Sequence, residues 1–95
     1  GCNYAPGTSL GARVLAGPQD AWMKIDGKMT RFAADAGAQQ LAAGSWNRYL
    51  GAGYELQLAL DDDPSDHHHD GTITLRDPHG RVVYRGAGYA QCTGD

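Results

Sequence analysis

The chain has no long apolar run, no cluster of basic residues and only two cysteines among its 95 residues. Crossing a bilayer as a helix takes about 18 consecutive apolar residues, so the sequence predicts no transmembrane helix. Binding to nucleic acid needs clustered Lys and Arg side chains that neutralise phosphates. Here 8 basic residues are scattered among 11 acidic ones, and the net charge is −3. We therefore expect no nucleic acid partner.

Signals for catalysis are also scarce. A chain of this size has room for one hydrophobic core, and we expect residues 1–95 to form a single β domain. Ser9, Ser45 and Ser65 lie in no nucleophile elbow. The acidic residues occur in polar sequence, where no burial would separate their pKa values. The sequence thus predicts a protein that is not an enzyme and that acts by binding a partner.

The chain does have alternating hydrophobicity between turn residues that recur about every 8 to 12 residues. Tyr54–Leu60 shows this best, because its tyrosine and three leucines occupy every second position. A first strand at 10–16 and an irregular loop at 33–43 are further predictions. Together these patterns predict an all-β fold, a small antiparallel β-barrel or sandwich of about 6–8 strands with one disulfide.

A first hairpin is predicted around Asp26-Gly27, a pair that tolerates the positive φ angles of a two-residue turn. The turn places Trp22 opposite Arg31 on the outer side of the hairpin. On the other side of these two strands lie four apolar residues, Ala21, Met23, Ile25 and Phe32.

A second hairpin is predicted around residues 77–80, which carry Asp, Pro and Gly at the positions that a type I turn favours. The turn would place Leu75 opposite Val82 and Ile73 opposite Tyr84. These four apolar side chains then share one face of the sheet, so the turn type and the hydrophobic pattern predict the same register.

The two cysteines lie near the two ends of the sequence. In a small Gly-rich chain, Cys2 and Cys92 suggest one disulfide that forms in an oxidising compartment. A second interpretation takes Gly1-Cys2 as the end of a lipoprotein signal, with a lipid on the Cys2 sulfur as the membrane attachment. Two free thiols are the third alternative. The first two interpretations both place the protein outside the cytoplasm.

Acidic residues and histidines are concentrated between Leu60 and the next predicted strand. Imidazole and carboxylate groups together suit Zn²⁺, Cu²⁺ or Ni²⁺, and alternate residues of an extended segment point the same way. The alternative is a solvated polar loop without a metal. The candidate ligands are His67, His69, Asp66 and Asp70, with His79 of the following turn as a further candidate.

A third segment of interest is 44–51, which carries the residue types that dominate binding hot spots. Trp and Tyr offer a large contact area, and Arg offers a bidentate fork, each at a small entropic cost. The alternative is an ordinary strand with Trp46 or Tyr49 buried in the core. The candidate partner-binding residues are Ser45, Trp46, Arg48 and Tyr49.

Several short motifs occur in the order that they have in a known family. By these motifs the chain resembles the MliC/PliC family, the small exported β-barrel inhibitors of c-type lysozyme. The family's Ser-Gly-x-x-Tyr loop is matched with its first two residues in reversed order. The residues that carry the resemblance are an I-D-G-K hairpin at 25–28, Gly44, Ser45, Arg48 and Tyr49 of the loop, and Val82, Tyr84, Gly86 and Cys92 of a V-x-Y-x-G-x-C ending.

The resemblance implies an exported protein of the periplasm or the outer membrane, with Cys2 bonded to Cys92. It also implies a physical block of the lysozyme cleft, where a retaining glycosidase holds two carboxyl groups about 5 Å apart. Acidic residues around the rim would hasten the encounter with a basic partner such as lysozyme.

In that mechanism Arg48 pairs with a catalytic carboxylate and Ser45 donates a hydrogen bond. Trp46 or Tyr49 fills a sugar subsite. Two other functions are predicted as alternatives. One is a periplasmic metal-binding protein that uses residues 61–70, and the other is a structural lipoprotein of the envelope.

Overall fold

Eight antiparallel strands follow one another along the chain and close into a barrel. The computed structural model describes residues 1–6, 14–60 and 68–92. One three-residue 3-10 turn, Ala42–Gly44, is the only helical element in these ranges, so no helix in them could span a membrane. The strands are β1 (Cys2–Pro6), β2 (Val14–Ala16), β3 (Asp20–Ile25), β4 (Lys28–Ala34), β5 (Arg48–Gly51), β6 (Tyr54–Leu60), β7 (His68–Arg76) and β8 (Val82–Cys92).

The barrel closes where β8 returns to pair with β1, and a disulfide joins Cys2 to Cys92 across this seam. The predicted all-β class and the disulfide are confirmed, with the barrel rather than the sandwich as the architecture. In the chain-entropy model, a link across a separation of 90 residues contributes about 4 to 5 kcal/mol to stability. The bond uses the sulfur that a lipid on Cys2 would require, so the disulfide and the lipid exclude each other.

Alternate residues of each strand point into the barrel and form one continuous core. In β6, Leu56 and Leu58 are buried while Tyr54 and Leu60 are partly buried, as the alternating pattern predicts. The largest fully buried side chains include two tyrosines, Tyr4 of β1 and Tyr49 of β5. The core of this small barrel therefore contains two phenol hydroxyls, whose hydrogen bonding matters for its stability.

The first predicted hairpin has the expected register. Asp26 and Gly27 form the turn with positive φ angles of 49° and 80°, and Trp22 pairs with Arg31. Trp22 lies exposed on the outer wall. Arg31 extends beside it to the carboxylate of Asp20, at a distance of 2.8 Å.

The register predicted for the second hairpin is wrong. Leu75 pairs with Tyr84 and not with Val82, which pairs with Arg76 instead. Gly80 has a φ of +82° and lengthens the loop by one residue, so that Asp77 pairs with Arg81 through a 2.9 Å hydrogen bond. A bulge opposite Leu75 and Arg76 then adds a second residue to β8.

The longer loop and the bulge each shift the pairing by one residue. Together they restore the alternation of inward and outward side chains along β8. Leu75 and Tyr84 therefore stay on the inner face, as predicted, while Val82 and Val83 lie exposed. A single shift would have turned the inner side chains of β8 toward solvent.

Two further predictions concern the remaining chain. Of the strand predicted at 10–16, Val14–Ala16 is observed as β2, and residues 10–13 lie outside the described ranges. The segment 33–43 is irregular after Ala34, as predicted, and contains one isolated bridge between Gln40 and Trp46.

Because each strand runs opposite to the one before it, the connections alternate between two ends of the barrel. We call one the turn end, where the short turns at 26–27, 52–53 and 77–81 lie. The other is the cap end, where β2 turns into β3, β4 leads to β5, and the disulfide joins β1 to β8. Residues 35–47, which connect β4 to β5 at this end, are called the cap segment.

Candidate functional site

The cap segment is a small hairpin held together by its own backbone. The amide of Leu41 donates to the carbonyl of Ser45 at 2.7 Å, and the amide of Asn47 donates to the carbonyl of Gln39 at 2.9 Å. In addition, the side-chain oxygen of Asn47 accepts a hydrogen bond from the backbone amide of Gln39 at 2.9 Å. Ala43 and Gly44 have positive φ angles of 56° and 80°, which reverse the chain at its tip. The segment thus has a defined shape, although it contains no regular strand pairing.

Ser45 lies inside the barrel at the base of the cap segment. It is fully buried, and its hydroxyl lies 3.4 Å from the sulfur of Cys2. The burial contradicts the prediction that the Ser45 side chain meets a partner directly. Its position instead anchors the cap segment over the disulfide that closes the barrel.

Tyr49 is likewise fully buried, which contradicts its predicted contact with a partner and confirms the alternative of a core position. Its hydroxyl donates to the carbonyl of Gly17 at 2.7 Å and accepts from the backbone amide of Trp46 at 2.9 Å. Burial raises the pKa of Tyr49 above its ordinary value of 10.0. One phenol therefore connects three elements, namely β5, the cap segment and the β2–β3 turn.

Trp46 lies between the core and the surface. Its indole packs partly against the core, and Nε1 donates to the carbonyl of Pro18 at 2.8 Å. This bond fixes the ring against the β2–β3 turn and leaves part of the ring accessible. Of the two predicted aromatic contact residues, Trp46 is therefore the one that a partner can reach.

Arg48 is the second accessible residue of the predicted set, with 41% of its side chain exposed. Its Nε donates to Asp35 at 2.6 Å, and its Nη1 lies 3.9 Å from Glu55. The pKa of Asp35 is lowered, first by the hydrogen bond from the Gly37 amide and then by that from Arg48. Arg48 thus already has acidic neighbours, and it can bind a partner's carboxylate only by sharing or exchanging them. Such a solvated pair exchanges at little cost.

A depression of about 370 Å³ lies beside Arg48 on the outer side of the cap segment. Its lining is mostly polar, because backbone and amide groups of the cap segment meet the start of β5 and the middle of β6. These donors and acceptors suit a polar side chain of a partner or the hydroxyls of a sugar. The lining residues that the site uses are Gln39, Asn47, Arg48 and Gln57.

Sequence reasoning missed the residues that position the site. Asp35 accepts hydrogen bonds from the Gly37 amide at 3.3 Å and from Arg48. An Asp two residues before a Gly is a local signal for such a turn, and it was available in the sequence. The bond from Tyr49 to Gly17 joins residues 32 positions apart, and no local pattern predicts it.

Two of the four predicted metal ligands, Asp66 and His67, lie outside the described ranges. The other two belong to β7, where His69 pairs with Ala90 of β8 and the exposed Asp70 pairs with Tyr89. Residues 1–6, 14–60 and 68–92 contain no group of three His, Cys, Asp or Glu side chains that could hold a metal. The zinc hypothesis for 66–70 stays a prediction, and zinc titration by calorimetry would test it.

The prediction that His79 takes part in such a site is wrong. His79 lies at the turn end, after β7, whereas β7 begins with His68 at the cap end. A strand of nine residues spans about 30 Å. The two histidine positions are therefore too far apart to share one ion.

The fold and the site define a class of protein, a disulfide-closed, eight-stranded antiparallel barrel with a hydrogen-bonded cap segment at one end. Comparison with known proteins found no matching family model, no matching curated protein and no matching solved structure.

Proposed function

We propose that this protein is an exported binding module that blocks a partner enzyme, most specifically a c-type lysozyme, through its cap end. The observation that carries the proposal is the accessibility of Trp46 and Arg48 at the cap end. Each is a hot-spot residue type, and each makes a hydrogen bond, to Pro18 and to Asp35 respectively. The Trp46 ring, which is ordered before binding, loses less entropy on binding, whereas Arg48 exchanges its solvated pair with Asp35 for a carboxylate of the partner.

The geometry changes the roles proposed for the four candidate residues. Arg48 and the exposed part of Trp46 are the contact residues, Arg48 for a carboxylate of the partner and Trp46 for a sugar subsite. Ser45 and Tyr49 are positioning residues, because they hold the cap segment from inside the barrel. Polar groups of the neighbouring depression supply the hydrogen bonds first expected from Ser45.

Two properties of the whole chain support the proposal. A disulfide persists in oxidising compartments, which suits an exported protein of the periplasm or the outer membrane. The net charge of −3 favours approach to a basic partner, an effect that salt weakens. The barrel and the end-to-end disulfide are also what the resemblance to the MliC/PliC family implies.

An inhibition assay against c-type lysozyme, with bacterial cell walls as the substrate, tests the proposal. We expect the wild-type protein to inhibit, and Arg48→Ala to raise the inhibition constant about 10- to 100-fold, as loss of a hot-spot Arg does. Arg31→Ala is the matched control. Arg31 is also an exposed arginine paired with one aspartate, at 2.8 Å, but it lies on the outer wall of β4.

Each outcome has a definite meaning. Full lysozyme activity in an excess of wild-type protein would overturn the proposal of lysozyme inhibition. Equal effects of the Arg48 and Arg31 substitutions would show that inhibition depends on general charge, and would overturn the role of the cap end.

A further inference from the structure

Arg48 lies between two carboxylates of its own chain. Its Nε donates to Asp35 at 2.6 Å, and its Nη1 lies 3.9 Å from Glu55. All three side chains are partly exposed on the outer side of the barrel. One positive charge thus lies among two negative charges, so a carboxylate that approaches Arg48 meets a group of side chains with a net negative charge.

Each of the two carboxylates also has a hydrogen bond that does not involve the arginine. Asp35 begins the cap segment, and its Oδ1 accepts from the backbone amide of Gly37 at 3.3 Å. Glu55 belongs to β6, and its Oε2 accepts from Nε2 of Gln57 at 3.1 Å. The Gln57 side chain in turn accepts from Nε of Arg76 at 3.2 Å. Both negative charges therefore have supports of their own beside the site.

The outer edge of the Arg48 guanidinium is the part that a ligand can use. Nη1 and Nη2 together form the edge that binds a carboxylate with two hydrogen bonds. Within the part of the chain that the structure describes, neither nitrogen makes a hydrogen bond. A carboxylate can bind at this edge, but it has to compete with Asp35 and Glu55 for the same positive charge.

We propose that Asp35 and Glu55 are specificity-determining residues, which compete with an incoming carboxylate for Arg48. This inference rests on the proposed function, because it concerns the same arginine. An isolated carboxylate gains too little from Arg48 to offset its repulsion from the two acidic residues. A carboxylate within a protein surface brings further contacts, such as one with Trp46, and these offset the repulsion. The two acidic residues thus keep free acidic solutes off the cap end and reserve Arg48 for a protein partner.

Titration with sodium acetate, exchanged for sodium chloride at constant ionic strength, tests the competition without a protein partner. The measured signal is ¹³Cζ of Arg48 in protein labelled with ¹³C-arginine, and the Arg31 signal is the internal control. Asp35→Asn and Glu55→Gln each remove one charge and keep the shape of the side chain. We expect each to lower the acetate concentration at half of the shift about two- to fivefold, the effect of a partly exposed ion pair. A merely structural role would give the opposite result, because Arg48 would lose a support.

Asp26→Asn is the matched control. It removes the same charge in the turn between β3 and β4, at a positive φ of 49° that Asn tolerates, and it should leave the acetate midpoint unchanged. Equal midpoints in wild type, Asp35→Asn and Glu55→Gln would overturn the proposal, and so would an equal gain in Asp26→Asn or an Arg48 signal that acetate never moves. The two acidic variants are independent, so either one decides if the other does not fold.

The lysozyme assay separates this inference from the proposed function. Both acidic variants should lower the inhibition constant about two- to fivefold, as they do the acetate midpoint. Absence of lysozyme inhibition together with the expected acetate result would overturn the proposed function alone. Inhibition by the wild-type protein with unchanged acetate midpoints would overturn the role of Asp35 and Glu55 alone.

Discussion

Replacing either of the two buried tyrosines by Phe should change the stability of the protein, but in different ways. Tyr49 and Tyr4 are both within 1% of complete burial. The Tyr49 hydroxyl makes two hydrogen bonds, at 2.7 Å to Gly17 and at 2.9 Å from Trp46. The Tyr4 hydroxyl is buried without a partner among the described residues. Replacing each by Phe removes one oxygen and leaves the ring in place, so only the hydrogen bonding differs.

The magnitudes follow from the cost of unmade hydrogen bonds. Tyr49→Phe leaves the Trp46 amide and the Gly17 carbonyl without their shared partner, and we expect a loss of about 1–3 kcal/mol in the free energy of unfolding. Tyr4→Phe removes a buried polar atom that has no partner. We expect this change to be neutral or to stabilise the protein by up to about 1 kcal/mol.

Urea unfolding followed by far-ultraviolet circular dichroism, with the disulfide intact, measures both variants without relying on tryptophan fluorescence. The slope of the free energy against urea should stay unchanged, so that midpoints compare directly. A loss of stability in Tyr4→Phe as large as that in Tyr49→Phe would refute the reasoning, because it would mean that the hydroxyl of Tyr4 is satisfied.

Three further predictions concern stability. Burial raises the pKa of Tyr4 and Tyr49 above the ordinary 10.0, so we expect the protein to keep its full free energy of unfolding below pH 10. Above pH 10 the tyrosines of the unfolded chain ionise before the buried ones do, so the free energy of unfolding should fall. Urea midpoints at pH 8 to 12 measure this fall. Gly71→Ala places a methyl group 3.0 Å from the Tyr4 ring and should lower the free energy of unfolding by about 1–3 kcal/mol. Gly37→Ala is the control, because its methyl group would come no closer than 4.0 Å to a neighbour, and it should change stability little in the same urea assay. Reduction of the disulfide should lower the unfolding free energy by about 4 kcal/mol, measured with and without reductant.

The sequence predicted those parts of the fold that depend on local chemistry. Alternation identified β6, and the Asp26-Gly27 turn set the β3–β4 register correctly. The β7–β8 register failed because the positive φ of Gly80 and the bulge near Leu75 each add one residue. A type I turn followed by a left-handed Gly is a common three-residue hairpin loop, so the Gly80 shift has a local signal, whereas no local pattern predicts the bulge.

Residue type alone selected the candidate site, and it did not predict which of the candidate residues are buried. Local sequence drew attention to Trp46, Arg48 and their neighbours, because hot-spot residue types cluster there. It could not separate contact residues from positioning residues, since burial depends on where the chain folds back. Ser45 and Tyr49 are buried because the cap segment lies over Cys2 and Gly17, residues that are distant in sequence.

The position of the cap segment is therefore coupled to the closure of the barrel. Ser45 packs on the sulfur of Cys2, and Tyr49 fixes the Trp46 amide to the β2–β3 turn through Gly17. In the proposed function, the positions of Trp46 and Arg48 would thus depend on interior groups that a partner does not contact. The cap segment therefore keeps a defined shape although most of it is loop.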